Sequence, residues 1–569
     1  MSNKPMSNKP VEFARKSRPK RVRQQNSMRP RMPHEFLYSM REETYNDRRG
    51  MTAGPLAGEA LFRGRTGNGK CSKIRMTMGS DRPVVRMASP RKGEGPVDAD
   101  RFSERHLQEL KSIFGEERVL WREHDLYSYA FDASFGTYKP DAVVQPLTAE
   151  EVCRLVRMAN RERIPLTPRG HATSLSGGPL PVHAGIVVDM SKMNRKLIID
   201  EDDLVAVVSP GVITAHIHQA AEQKGLMYPP DPSSSQVSTI GGNLAENAGG
   251  PRGLKYGVTK DYVLGLEVVT PCGELIRTGG RTVKNVTGYD LTKLIVGSEG
   301  TLGIITEATL RLIPKPQAVE TIMAVFGDLV ACGRAISRIL TSGILPSKIE
   351  LMDQASILAV ENYEPCGLPR DAKAIVLIEL DGHPAAIAAE KAVAHDVCVR
   401  TGARTVWSAQ SEAEQREMWR ARQLVSPAIA RIKPTKIAED ICVPKSKIPE
   451  AFARLEHIRD KYGLNMVIFG HAGDGNLHPN IMADSRDAAE MKRVEQAVKE
   501  IFRLALELGG TLSGEHGIGT MKAPFMPLEL GEAGLDMMRR IKQAWDPNGI
   551  MNPGKMFPSP GQRLVLTDD

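Results

Sequence analysis

Three glycine-rich stretches between residues 165 and 305 constrain this chain more than any other feature. The first is Pro168-Arg169-Gly170-His171-Ala-Thr173-Ser174-Leu-Ser176-Gly177-Gly178. The second is Pro229-Pro230-Asp231-Pro-Ser-Ser-Ser235-Gln-Val-Ser-Thr239-Ile-Gly241-Gly242-Asn243-Leu-Ala-Glu-Asn247-Ala-Gly249-Gly250. The third is Gly297-Ser-Glu-Gly300-Thr-Leu-Gly303-Ile304-Ile-Thr. Glycine interleaved with Ser, Thr and Asn lets backbone N–H groups approach an anion closely. A pyrophosphate is the natural ligand for such a nest. Neither the Rossmann pattern at a strand–helix junction nor a P-loop accounts for these stretches. Individual glycines can be explained as turn residues, but their ordered combination is poorly explained that way.

The 569 residues allow three or four domains at about 100–200 residues each. No stretch reaches the roughly 20 apolar residues that a membrane span requires, which argues against an integral membrane protein. The seven cysteines are scattered without a CxxC pair. That speaks against a zinc ribbon, an iron–sulfur module or a disulfide framework, and fits a reducing compartment. Residues 1–100 hold 22 Lys and Arg against 10 Asp and Glu, while the remainder hold 54 against 58. The basic excess therefore belongs to the N-terminal segment, and the rest shows no need for nucleic acid.

Residues 1–95 open with the duplication MSNKPMSNKP and carry nine of the 25 methionines, without helical or alternating apolar periodicity. They read as a disordered extension, or as the product of translation begun upstream of a start at Met87. Within them, Gly64 to Cys71 nearly matches a P-loop, but Cys71 replaces the Ser or Thr that would ligate magnesium. ATP binding is not expected there.

From Phe102 onward the character is globular. FSERHLQELKSIFG reads as an amphipathic helix stopped at Gly115, and Thr148-Ala-Glu-Glu151 has capping-box spacing before another helix. Residues 164–315 alternate short β-rich runs with glycine turns, and residues 316–470 alternate helices with strands. A long helix, a glycine-rich loop and a closing helix follow.

The C-terminal third carries His471-Ala-Gly-Asp474-Gly475-Asn476-Leu-His478-Pro-Asn480 after an apolar strand. Two histidines on a glycine-bent turn can converge on one ion. Gly514-Glu515-His516-Gly517, further along the chain, can bring a carboxylate and a third imidazole to the same place. Two imidazoles and a carboxylate with open positions suit a catalytic divalent metal: zinc, with manganese or iron as alternatives. A neutral imidazole suits abstraction of a hydroxyl proton. Trp419-Arg420-Ala-Arg422 and Lys436-Ile-Ala-Glu439-Asp440 offer cations for a carboxylate substrate. Ser426, four residues after Arg422, is expected on the same helical face.

These residues closely resemble the flavoprotein family whose FAD domain is shared with vanillyl-alcohol oxidase and p-cresol methylhydroxylase. Within it they are similar to glycolate oxidase flavoprotein subunits and D-lactate dehydrogenases. The resemblance spans about residues 100–557. It implies an α+β fold: a two-subdomain PCMH-type FAD-binding domain at 100–315, and an α+β cap with an antiparallel sheet at 316–510. A C-terminal helical segment at 511–569 would return to the FAD domain with the Glu-His motif. Trp545-Asp-Pro-Asn-Gly549-Ile-Met-Asn552-Pro553-Gly554-Lys555 resembles the family's closing motif. By the same resemblance residues 168–178 and 230–250 line the pyrophosphate and adenosine side. Gly253, Tyr256, Gly257 and the run through Gly303 and Ile304 continue the pocket, and Lys284-Asn285-Val-Thr-Gly288-Tyr289 lies near the flavin. A histidine that carries covalent FAD in some relatives aligns with Thr173, so FAD here is expected to be non-covalent, with His171 a local hydrogen-bonding residue.

Carried over in the same way, His471, His478 and Glu515 are metal ligands, His516 is the base and Asn480 contacts substrate. Arg422 and Lys436, helped by Ser426, hold the substrate carboxylate. The activity implied is oxidation of a small D-2-hydroxy acid, glycolate or D-lactate, with hydride transfer to flavin N5. Electrons would pass to a partner subunit, a quinone or an electron-transfer flavoprotein. D-2-hydroxyglutarate is an alternative substrate. A non-redox enzyme like alkyl-dihydroxyacetone-phosphate synthase is a rival, as is a nucleic-acid-binding protein with a vestigial flavin site; the intact motifs oppose the last. The expected location is the cytoplasm, with peripheral attachment at the inner membrane or a mitochondrial address left open.

Overall fold

A computed structural model describes residues 102–559. The extension at 1–95 and the P-loop-like run at 64–71 lie outside the described residues.

The first layer is a four-stranded sheet, ordered Val119–Leu120, Ala142–Val144, Ile186–Asp189, Leu166–Arg169. Its last three strands run parallel, and a crossover helix, Ala149–Glu162, separates two of them. Thr148 starts that helix. Its hydroxyl accepts from Glu151 N–H at 3.2 Å, and the Glu151 carboxylate accepts from Thr148 N–H at 3.3 Å. Val152, Leu155, Val156 and Ala159 recur at helical spacing and are buried against the strands. The chain after the closing helix returns to this layer. Leu166 N–H donates to Ile550 O and Asn552 N–H donates to Leu166 O, each at 2.8 Å.

The second layer is a five-stranded antiparallel sheet, ordered Leu197–Asp200, Val205–Val208, Ile304–Arg311, Val263–Val269, Leu275–Gly279. Buried and half-buried residues alternate along Ile304–Arg311, as expected for a strand with one face on a core. The first glycine-rich stretch follows Leu166–Arg169 within the first sheet, and the second lies between Val205–Val208 and Val263–Val269 of the second.

The third layer is an eight-stranded antiparallel sheet drawn from residues 318–483, with apolar cores on both faces. Helices Leu329–Leu340, Ile448–Tyr462 and Ala488–Glu507 cover one face. On the other, helices Gln354–Tyr363 and Val425–Ile429 cover only part of the surface. Strand alternation decides what the uncovered part presents. Ile349, Leu351, Ile437, Ile468, Leu477 and Ile481 belong to the first core. Their neighbours Glu350, Lys436, His471, His478 and Asn480 therefore share the opposite face with Phe469 and Met482. Register places them side by side: Phe469 opposite His478, Gly470 opposite Leu351, and Ala438 opposite Asn480. The architecture is α+β with a large antiparallel sheet.

Candidate active site

His471 ends the strand Asn465–His471, and His478 lies on its hairpin partner Asn476–Ala483. The turn between them requires glycine at position 475: its φ is 90°, and a Cβ would sit 2.0 Å from Val443 O. Glu515 Oε1 lies 3.0 Å from His471 Nε2 and 3.4 Å from His478 Nε2. One ligand atom from each of these three residues falls within 4.8 Å of the others. The donor set and spacing fit a divalent cation. Burial works to raise the Glu515 pKa, but the two imidazoles outweigh it and the carboxyl titrates well below its ordinary range.

Glu515 and His516 are adjacent yet both line the site. Asp440 explains how. It is fully buried, and its Oδ2 accepts from the N–H groups of Gly514, Glu515 and His516, each at 2.9 Å, and from Ser513 Oγ at 2.8 Å. Successive amides curling around one carboxylate oxygen form an anion nest, here filled by the protein's own carboxylate as a loop anchor. Gly517, at φ 85°, completes the bend, since a Cβ there would collide with Glu246. His516 stacks on His478 with ring centroids 5.1 Å apart and planes 6° apart. Burial pushes its pKa down to about 4, against the pull of Asp440, so the imidazole is neutral at neutral pH. Asp440, His478 and His516 form a second close cluster, but the Asp440 oxygens are already engaged by the loop amides and Asn476.

Arg422, in the last turn of helix Glu412–Gln423, stacks over Phe469 at 4.8 Å and pairs with Glu350 Oε2 at 2.7 Å. Its Nε is buried without an acceptor. The Lys436 ammonium donates to Ser426 Oγ at 3.1 Å, and burial lowers its pKa. Ser426 does not share Arg422's helix: the first helix ends at Gln423, and Ser426 belongs to the short helix Val425–Ile429. It meets Lys436 instead. Asn480 donates to His478 O at 3.1 Å and faces the same space.

That space is a cavity of about 1500 Å³ running from the glycine-rich stretches to the His/Glu cluster. Sites for drug-sized ligands are about 300–1,000 Å³, so this one has room for a dinucleotide beside a small substrate. Pro168, Arg169, Gly170, Thr173, Ser174 and Gly178 line it from the first stretch. Asp231, Ser235, Thr239, Gly241, Gly242, Asn243 and Gly249 line it from the second, and Gly303 and Ile304 from the third. A Cβ on Gly170 would fall 2.2 Å from Thr239 Oγ1, and one on Gly241 would fall 2.9 Å from Pro210 O. These close approaches are what a backbone cradle for a pyrophosphate needs. His171 is exposed, with Nδ1 donating to Val237 O at 2.8 Å.

Other residues of these stretches support the wall without lining it. Ser176 O accepts from Thr520 N–H at 2.9 Å, next to Gly177 at φ 84°. Pro230 O accepts from His218 at 2.8 Å. Asn247 caps helix Ile240–Glu246 in the left-handed conformation, and Gly250 packs against Asp231. Gly253 abuts Asp474, Gly257 abuts Asp261, and the Tyr256 hydroxyl donates to Asp381 Oδ2 at 2.8 Å. Thus Gly253, Tyr256 and Gly257, expected to continue the pocket, stand outside its lining. The run at 284–289, expected near the flavin, is also absent from it. It lies in an exposed loop after the edge strand Leu275–Gly279, with Val286 98% and Tyr289 95% exposed.

Sequence reasoning missed Glu350 entirely and did not assign Asp440 its anchoring role. The signal for Glu350 was an ionisable residue between the apolar Ile349 and Leu351 in a strand.

Two family descriptions match the chain: "FAD binding domain" over residues 140–279, and "FAD linked oxidases, C-terminal domain" over residues 315–556. The chain is therefore a flavoprotein of the FAD-linked oxidase family. Its group within that family follows from curated relatives. It is 47% identical to glycolate oxidase subunit GlcD of Bacillus subtilis (strain 168), over 81% of this chain and 98% of that one. It is 34% identical to a D-lactate dehydrogenase of Anaerostipes hadrus, over 79% and 96%. Among solved structures, p-cresol methylhydroxylase with substrate bound shares the fold at TM-score 0.67 and 18% identity, over 79% of this chain and 96% of that one. The chain is an FAD-linked oxidoreductase of the glycolate oxidase and D-lactate dehydrogenase type.

Proposed function

We propose that this protein oxidises a small D-2-hydroxy acid, glycolate or D-lactate, to the 2-oxo acid. Residues 100–315 would hold FAD non-covalently, 316–510 would form the cap, and 511–569 would return Glu515 and His516 to the site. The observation that carries this reading is convergence. Arg422, Lys436, His516 and the His471–His478–Glu515 set face one end of a cavity whose other end is the glycine-rich cradle.

Bound FAD supplies a two-electron acceptor, and a divalent metal on His471, His478 and Glu515, zinc or else manganese or iron, supplies positive charge that acidifies a nearby hydroxyl. The residues of the chain do the rest. Arg422 and Lys436 orient the substrate carboxylate, and the Arg422 Nε stands ready as a donor. Asn480 and Ser426 limit how the substrate can turn. His516, neutral and fixed by the Asp440-anchored loop, takes the hydroxyl proton on an imidazole nitrogen as C2 is oxidised.

A charge census supports a monocarboxylate. Arg422 pairs with Glu350, Arg252 with Asp231, Lys348 with Glu379, Arg416 with Glu412, Arg420 with Glu364 and Lys315 with Glu222. Arg169 donates to two backbone carbonyls. Among the described residues lining the cavity, this leaves Lys436 as the cation without a carboxylate or carbonyl partner. A second carboxylate, as on D-2-hydroxyglutarate, would have to draw on a cation already in an ion pair, as the first does with Arg422.

The reduced cofactor needs an acceptor. The name of the Bacillus relative marks it as a subunit. A partner subunit, a quinone or an electron-transfer flavoprotein fills that role here. Among the described residues no helix is long and apolar enough to cross a membrane.

The test is an anaerobic titration with glycolate, D-lactate, D-2-hydroxyglutarate and L-lactate, with and without chelation. Bleaching of the visible flavin bands by glycolate or D-lactate, lost on chelation, is the expected result. A flavin that none of these acids reduces overturns the assignment. Release of the flavin on denaturation checks the non-covalent attachment.

A further inference from the structure

Glu350 sits on strand Lys348–Asp353 and is 1% exposed. A buried carboxylate is tolerated only with strong partners on its oxygens. Here the two oxygens divide between two functional groups. Oε1 lies 2.6 Å from His471 Nδ1, and Oε2 lies 2.7 Å from the Arg422 guanidinium. With the Nδ1 proton held by Glu350, Nε2, the nitrogen that faces Glu515 at 3.0 Å, is the one that would turn a lone pair to a bound metal. The other oxygen forms an ion pair, without hydrogen-bond alignment, with the guanidinium that Phe469 backs on its flat side. One carboxylate therefore sets both the tautomer of a metal ligand and the aim of the substrate clamp.

We infer that Glu350 is a positioning residue that locks His471 and Arg422 into one unit, so that metal binding and carboxylate recognition depend on the same side chain. The inference rests on the reading of the site given above. Glutamine at this position is nearly isosteric but has one acceptor and one donor. If its carbonyl accepts from Arg422, its NH₂ faces Nδ1 and favours the tautomer with a proton on Nε2. If its carbonyl accepts from His471, its NH₂ opposes the guanidinium. It cannot serve both.

The experiment compares wild-type holo-flavoprotein with Glu350→Gln, both stripped of metal and titrated by calorimetry with zinc chloride and with manganese chloride. KM and kcat for D-lactate and glycolate are then measured at saturating zinc. Outer-shell partners of metal-ligating histidines typically account for about 10–100-fold in metal affinity. The expected result is a zinc affinity lower by that factor, and a KM that stays raised at saturating zinc while flavin content is unchanged. Glu350→Asp keeps the charge and both acceptors but is too short to reach both partners. It is expected to move both quantities in the same direction by less, and it serves if the glutamine variant fails to fold. Wild-type protein that binds zinc, with variants that match it in zinc affinity and in KM, overturns this proposal alone. Wild-type protein that binds neither zinc nor manganese overturns the reading of the site and this proposal with it.

Discussion

The wall built from residues 168–304 meets the cavity with many glycine, serine and threonine residues among its ionisable ones, whereas the wall of the eight-stranded sheet, its helix Glu412–Gln423 and the Glu515–His516 loop gathers imidazole, carboxylate, ammonium and guanidinium groups at one end. The first kind of surface grips a large cofactor by close approach, and what it cannot tolerate is added bulk. The second does acid–base and ionic work, and what it cannot tolerate is loss of a functional group. The two walls meet where Gly249 lies against Glu515, with room for no side chain larger than hydrogen.

The largest expected effect is on the second wall. His516→Ala should keep its flavin and lose turnover by roughly 10²–10⁴-fold, the usual contribution of a general base. Stopped-flow reduction of the bound flavin by D-lactate measures it. If the flavin itself were lost, the division of labour between the walls would not hold.

The first wall should fail in the opposite way. In Gly170→Val the new Cβ falls on Thr239 Oγ1 at 2.2 Å, inside any real contact. The variant should purify with little or no flavin while its far-UV circular dichroism stays that of the wild type, because the large sheet is built elsewhere in the chain. The ratio of visible to ultraviolet absorbance gives the answer directly.

The same contrast explains what the sequence could reveal. A backbone cradle is written locally, as glycines interleaved with small polar residues, so much of the two runs expected to form it, 168–178 and 230–250, does reach the cavity, while Ser176, Gly177, Pro230, Asn247 and Gly250 stand behind it. His471, His478, Glu515 and His516 were legible as residue types flanked by glycine. Glu350 was not, because its meaning depends on the pairing of its strand with Asn465–His471, more than a hundred residues away, and on a helix that brings in Arg422. Ser426 was placed on the wrong helix because the break signal, Pro427, which has no N–H to donate to Gln423 O, was passed over. The run at 284–289 shows the limit of motif reasoning, since a stretch can be typical of a family and still lie outside the cavity.

A smaller effect would sharpen the charge census. Lys436→Met removes the unpaired cation while keeping much of the side chain's volume. A hydrogen bond to a charged group contributes about 1.5–3 kcal/mol, so KM for D-lactate should rise by roughly 10–100-fold. The flavin spectrum without substrate should be unaltered. If KM for D-lactate is unchanged, Arg422 alone holds the carboxylate and the second wall needs one cation fewer.

The last effect touches stability rather than turnover, and concerns how the closing segment is fastened to the first wall. Lys555 is buried, and its Nζ donates to Leu180 O at 2.5 Å, beside the first glycine-rich stretch. Burial lowers its pKa to about 7, even with Glu299, Asp132 and Glu246 nearby. An unfolded lysine titrates near ~10.4. Between those values the unfolded chain holds a proton that the folded chain does not, so stability rises with pH across that window. The contribution is fully present above the unfolded value and is lost as pH falls toward 7. Its slope is at most about 1.4 kcal/mol per pH unit. Urea unfolding of wild type and Lys555→Met between pH 7 and 10 isolates it: the wild-type curve should gain stability with pH relative to the variant. Parallel curves would mean that this lysine stays charged in the folded protein, and that the carboxylates of the first wall, not burial, govern it.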